Sequence, residues 1–171
     1  MDQFSNLAAA QATFAQYNCK GNENSYVFAQ DDVMIRRSSD AGYYGGGLIG
    51  GMVASAITQA VRDKNQEQEM IGGQMNLVLN VTETGIGALA VKKAGLFKKW
   101  NTATVVENTQ LFYMLYSDME FVELKKGLGA YILTFKTKNG ITFCARIYSK
   151  LKEIDYQDAG LQAIIARFGL K

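Results

Sequence analysis

Lysines, a glycine and aromatic residues crowd into residues 92–100, KKAGLFKKW. Lys92, Lys93, Lys98 and Lys99 bracket Gly95, with Leu96, Phe97 and Trp100 among them. A hairpin of this composition could lay Phe97 and Trp100 into a membrane interface while the lysines meet anionic headgroups. Each lysine near such a surface is worth on the order of 1 kcal/mol. The same residues also suit an ordinary solvated hairpin whose aromatics cover the core. Lys125 and Lys126 form a second, weaker basic pair.

Other chemistry is poorly supplied. The chain has 0 histidines, which removes the usual general base and metal ligand and excludes Ser-His-Asp or Cys-His catalysis. Cys19 and Cys144 are the only cysteines and lie far apart. They make neither a zinc set nor a disulfide framework, and read as free thiols in a reducing compartment. The carboxylate pairs Asp31/Asp32 and Asp118/Glu120 suit structural positions, the first at a turn. Residues 85–90 spell GxGxxA, but a dinucleotide site needs a helix after the glycines, and here both flanks read as strand. No catalytic residue, cofactor or metal is expected. A net charge of +2 and no RNP-like motif argue against nucleic acid.

The second unusual feature is the run from Ala41 to Val61, AGYYGGGLIGGMVASAITQAV, which carries no charge. Gly46, Gly50 and Ala54 fall on one helical line, and Gly47, Gly51 and Ser55 on the line beside it. Each Gly costs a helix interior roughly 1 kcal/mol relative to Ala, so close packing must offset the cost. Three readings are open: a helix packed on its own sheet or on a symmetric copy, a membrane-inserted helix, or a glycine loop with only residues 53–62 helical. The first predicts a homo-oligomer. A protein partner and an anionic lipid are the other binding partners considered.

A chain of 171 residues suits one domain, in which folding hides about 70% of the unfolded surface. Residues 2–18 read as a helix capped by Asp2, with Phe4, Leu7, Ala8, Phe14 and Ala15 as its apolar stripe. Short strands follow at 25–30 and 33–38, then the glycine run. From residue 75 the period changes to two. Strands are expected at 77–81, 86–91, 102–106, 111–116 (buried on both faces), 119–124, 131–137 and 141–147. Asn139-Gly140 marks the last hairpin. A final helix over 156–168 is expected to be capped by Asp155, packed through Leu161, Ile164, Ile165 and Phe168, and stopped by Gly169. The opening residues, MDQFSN, lack the basic and apolar regions of a secretory signal. The expected location is the cytoplasm, with membrane association as a variant.

Three segments carry a family resemblance: LVLNVTETGIGAL, LYSDMEFVELKKG and GAYILTFKTKNGITFCARI with the helix after it. They resemble the pleckstrin-homology-like superfamily, especially its bacterial and GRAM-like members. The resemblance implies an α+β fold over residues 75–168: a curved antiparallel sheet or barrel closed by a C-terminal helix. An N-terminal helix (1–20) and a Gly-rich helical insertion (41–64) would be additions within one domain spanning 1–171. It also implies binding or self-association rather than catalysis.

Overall fold

The computed structural model describes residues 2–31, 76–93, 99–138 and 142–170. The glycine run, Asp32 and Asn139-Gly140 lie outside them. The described residues form an α+β fold with two α-helices and one antiparallel sheet of eight strands.

Helix α1 spans Leu7–Gln16. Its cap is Asn6, whose side chain accepts the Ala9 N–H at 2.9 Å, and not the expected Asp2. Asp2 instead accepts from Ser5 in the preceding turn. Starting the helix five residues later changes its inner face. Ala10, Thr13 and Phe14 are buried with Phe4 from the turn, while Leu7, Ala8 and Ala15 are exposed. The helix ends as the sequence indicates. Asn18 takes a left-handed conformation (φ 57°), and the Asn18 and Cys19 N–H groups close back on Ala15 and Phe14, a Schellman arrangement.

The strands are β1 (Asn24–Asp31), β2 (Asn76–Thr82), β3 (Gly85–Lys93), β4 (Ala103–Val105), β5 (Phe112–Leu115), β6 (Met119–Lys126), β7 (Ala130–Thr137) and β8 (Thr142–Tyr148). Their order is β4-β3-β2-β1-β8-β7-β6, with β5 also on β3. β3 carries β5 along Gly85–Ala88 and β4 along Val91–Lys93. The sheet curls until its two halves face each other, bringing Phe112 of β5 within 6.4 Å of Phe143 of β8. It does not close into the barrel offered as one form of the expectation: β4 and β6 are the ends of the strand order. The 111–116 segment also departs from the expected two-sided burial. β5 is partly exposed, and Leu115 is 42% exposed, because it stands at the margin of the curl. Asp31 is a buried strand residue opposite Ala145 rather than part of an exposed turn.

Period-two alternation sorts the side chains into two cores. Val27, Ala29, Leu77, Leu79, Ile86, Ala88, Leu133, Phe135 and Ile147 fill the inner face. Tyr26, Phe28, Val78, Leu89 and Val91 fill the outer face, under α1, Phe4 and Phe14. Helix α2 (Gln157–Phe168) lays Leu161 and Ile164 on the inner core. Gly169 stops it with φ 71°. Asp155 does not cap it; Tyr156 takes that position without a side-chain hydrogen bond.

The chain changes faces at the start of α2. Ile154 and Tyr156 belong to the outer core, and Leu161 to the inner one. The passage lies where β1 and β8 part. Their pairing runs from Asp31↔Ala145 to Ala29↔Ile147 and stops. At the next position the Gln157 amide takes over. Its Oε1 accepts the Phe28 N–H at 2.8 Å, and its Nε2 donates to Phe28 O (3.1 Å) and Tyr148 O (2.8 Å). One turn later a Cβ on Gly160 would collide with Tyr26 O, so glycine is what lets the helix lie against the β1 backbone.

Gln157→Leu removes three hydrogen bonds and leaves buried backbone groups without partners, at about 1–3 kcal/mol each. The variant is expected to lose about 3 kcal/mol or more of unfolding free energy in a denaturant titration. A loss under about 0.5 kcal/mol, the size of an ordinary surface change, would contradict the arrangement.

Candidate functional site

The basic aromatic segment is divided by the fold. β3 ends in Lys92 and Lys93, opposite Thr104 and Ala103 of β4. Alternation puts Lys93 on the outer face with Leu89 and Val91, and Lys92 on the inner side with Ala88 and Ala90. Lys99 is exposed and precedes a short 3-10 turn, Trp100–Thr102, which is held by Thr102 Oγ1 donating to Lys99 O at 2.8 Å. Phe97 and Lys98 lie outside the described residues, as do Gly46, Gly47, Gly50, Gly51, Ala54 and Ser55.

Trp100 turns inward. Its ring lies 5.1 Å from Phe28 and 5.0 Å from Tyr148, joining an outer-face aromatic cluster that continues through Phe4, Phe14, Tyr26 and Tyr156. Lys93 Nζ stands 4.2 Å from the indole centroid, a cation–π contact. The structure thus brings Lys93 and Trp100 together, while Lys92 points to the opposite side of the sheet. Trp100, the described aromatic of the segment, packs partly buried against the outer core.

Burial favours the neutral forms of one thiol and four tyrosines. Burial pushes the Cys19 thiol up to about 11, with the Asn80 amide acting in the opposite direction. A reactive thiolate needs the reverse shift. Burial likewise raises Tyr26, Tyr116 and Tyr148 to about 12 and Tyr156 further still. Tyr156 uses its hydroxyl structurally, donating to Phe4 O at 3.0 Å. The acidic pair Asp118/Glu120 is split: Glu120 bonds Lys136 Nζ at 2.6 Å, and the Asp118 carbonyl accepts the Lys138 N–H. Among the described residues no cluster of three or more Cys, Asp or Glu could hold a metal ion. An open groove of about 490 Å³ beside α1 is walled by Asp2, Gln3, Ala9, Ala12, Thr13, Gln16 and Thr104, which offer one carboxylate and no basic partner for it.

Polar ties concentrate at the β2–β3 turn. Thr82 Oγ1 and Thr84 Oγ1 lie 2.8 and 2.7 Å from the Tyr113 hydroxyl, and Tyr116 OH donates to Thr82 O at 2.8 Å. These bonds pin β5 to the turn. Glu83 accepts the N–H groups of Asn22 and Glu23 at 2.9 and 3.1 Å, and Arg167 of α2 pairs with Glu23. None of these contacts was expected from the sequence. The ETG turn signals a hairpin and carries no mark of what it touches.

No family model matches the chain, and no curated protein or solved structure matches it either. No helix among the described residues is long and apolar enough to cross a membrane.

Two outcomes test this geometry. Trp100→Ala should cost about 1–2 kcal/mol, below the scale of an aromatic lost from a fully buried core because the ring is half-buried, read from the urea midpoint. A side chain waiting free for a membrane would leave that midpoint unchanged. Backbone donors hold the Glu83 carboxyl below its ordinary value, so its stabilisation is present above the unfolded value and lost as pH falls through the folded one. Glu83→Gln should therefore be less stable than wild type at neutral pH, and the gap should close below the usual carboxylate range. A gap that does not change with pH would refute the assignment.

Proposed function

We propose that this chain is a non-catalytic binding and scaffolding domain with a pleckstrin-homology-like core, and that it assembles with copies of itself through the small-residue segment at Gly46, Gly47, Gly50 and Gly51. The observation that carries the reading is where that segment is rooted. Gln30 of β1 stands opposite Asn76 of β2. The described part of β1 therefore ends, and that of β2 begins, at the same end of their pairing. An uncharged run rich in small residues, mounted on a rigid base, suits contact between backbones.

The core reading draws on the strand succession and the single C-terminal helix on the concave face. A second helix layer, α1 on the outer face, departs from the simple pattern. The absence of catalysis is supported by the lack of histidine and by burial that keeps Cys19 and the shifted tyrosines neutral.

Wild type should sediment as a dimer or larger species. Gly50→Leu, which places a bulky side chain in the small-residue line, should sediment at the mass of one chain with an unchanged far-UV circular dichroism spectrum. Gly50→Ala should retain the assembly. A monomeric wild type, or a folded Gly50→Leu that sediments like wild type, overturns the proposal.

A further inference from the structure

β6 (Met119–Lys126) ends the strand order. Among the described residues it pairs with β7 alone, and its other edge carries no strand. An open edge presents a row of backbone donors and acceptors to any chain that can pair with it. A register shift between Met119 and Phe121 blunts one end. From Phe121 onward the ladder is regular as far as the turn.

The hairpin decides which backbone groups the edge offers. The Gly127 N–H donates to the facing Ala130 O at 2.8 Å, so these residues form a hydrogen-bonded pair. Such pairs alternate with non-hydrogen-bonded ones along an antiparallel ladder. The register runs on through Lys126↔Tyr131, Lys125↔Ile132, Leu124↔Leu133 and Glu123↔Thr134. The backbone groups of Lys125 and Glu123 therefore turn toward β7, and those of Val122, Leu124 and Lys126 turn to the open edge.

The side chains along this edge are complementary to themselves. Glu123 and Lys125 lie two apart on one face and bond each other at 2.9 Å. Consider two copies of β6 set antiparallel about a twofold axis. With Leu124 opposite Leu124, each outward-turned residue meets another, Val122 facing Lys126. Glu123 of each copy then faces Lys125 of the other. Sliding one copy by two residues puts Glu123 opposite Glu123 in one direction and Lys125 opposite Lys125 in the other. Like charges directly opposite are destabilising, so the charge pattern selects one register. That register also sets Phe121, 39% exposed, opposite Gly127, and brings Leu128, 102% exposed, one position beyond it. Each copy thus supplies an apolar neighbour for an exposed side chain of the other.

We propose that the open edge of β6 docks a second copy of this chain, β6 on β6 in this one register, to make a sheet continuous across the pair. Main-chain hydrogen bonds supply the attraction and the Glu123–Lys125 pairs the register. The surface is separate from the glycine segment, and neither contact needs the other. One strand edge is small beside the about 800 Å² a side of a standard interface. The contact therefore fills at high protein concentration, and sedimentation of dilute protein still reports the glycine segment.

Amide hydrogen exchange followed by NMR at low and high protein concentration tests the proposal. In wild type the N–H groups of Val122, Leu124 and Lys126 should exchange at least about fivefold more slowly at the high concentration. Glu123→Lys and Lys125→Glu should each lose that dependence, because each alone sets like charge against like. An equal mixture of the two variants should regain it, because each supplies the sign the other lacks. Exchange at these amides that ignores wild-type concentration, as for an edge kept for a different protein, overturns the proposal whether or not the variants fold. So does a mixture that exchanges no more slowly than either variant alone. Dilute sedimentation reads the glycine contact, so the two proposals fail independently.

Discussion

The structure depends on one side chain that behaves like a piece of strand. Among the described residues β1 and β8 pair at three positions, and the pairing ends at Ala29↔Ile147. Separation leaves backbone donors and acceptors in the middle of a buried sheet, where each lost hydrogen bond costs about 1–3 kcal/mol. Gln157 supplies the missing partners with one amide: an acceptor for Phe28 N–H and donors for Phe28 O and Tyr148 O. The gap therefore keeps partners for the Phe28 N–H, Phe28 O and Tyr148 O, and the chain can pass from the outer face to the inner one.

Both cores follow from that passage. Tyr156, just before Gln157, completes the outer aromatic cluster and bonds Phe4 O. Leu161 and Ile164, just after it, reach the inner core. Gly160 permits the close approach to the Tyr26 carbonyl. A longer β1–β8 ladder would shut the gap through which this crossing runs. The sheet is consequently covered on its inner face by α2 and on the β1–β3 part of its outer face by α1. Among the described residues, strand ends and turns are then the places where the fold offers contacts.

Some strands were legible because half-buried β structure writes its period into the sequence, as in residues 130–137, whereas 76–82, buried on both faces, was legible as an apolar run between turns. Asn18 and Gly169 announced helix ends because left-handed backbone has few suitable residues. The cap at Asn6 was less legible, since Asp2, Ser5 and Asn6 can all cap a helix, and the choice depends on Phe4 packing under α1. Open or closed curvature has no signature in alternation, which reports faces and not the bending of a sheet. Gln157 was invisible for a similar reason: a glutamine at the start of an amphipathic helix reads as solvated until the strands beside it are known to part. At the basic segment composition left two readings open, a membrane tip and aromatics over the core; the packing of Trp100 on Phe28 and Tyr148 was hidden because those partners are remote in sequence.

Amide hydrogen exchange at Phe28 tests this account most directly. A Phe28 N–H held by Gln157 should exchange only through global unfolding, as slowly as the ladder-bonded amides at the centre of β1. Rapid exchange at Phe28 beside slow exchange at Ala29 would show that β1 and β8 part without a clamp, and would contradict the account.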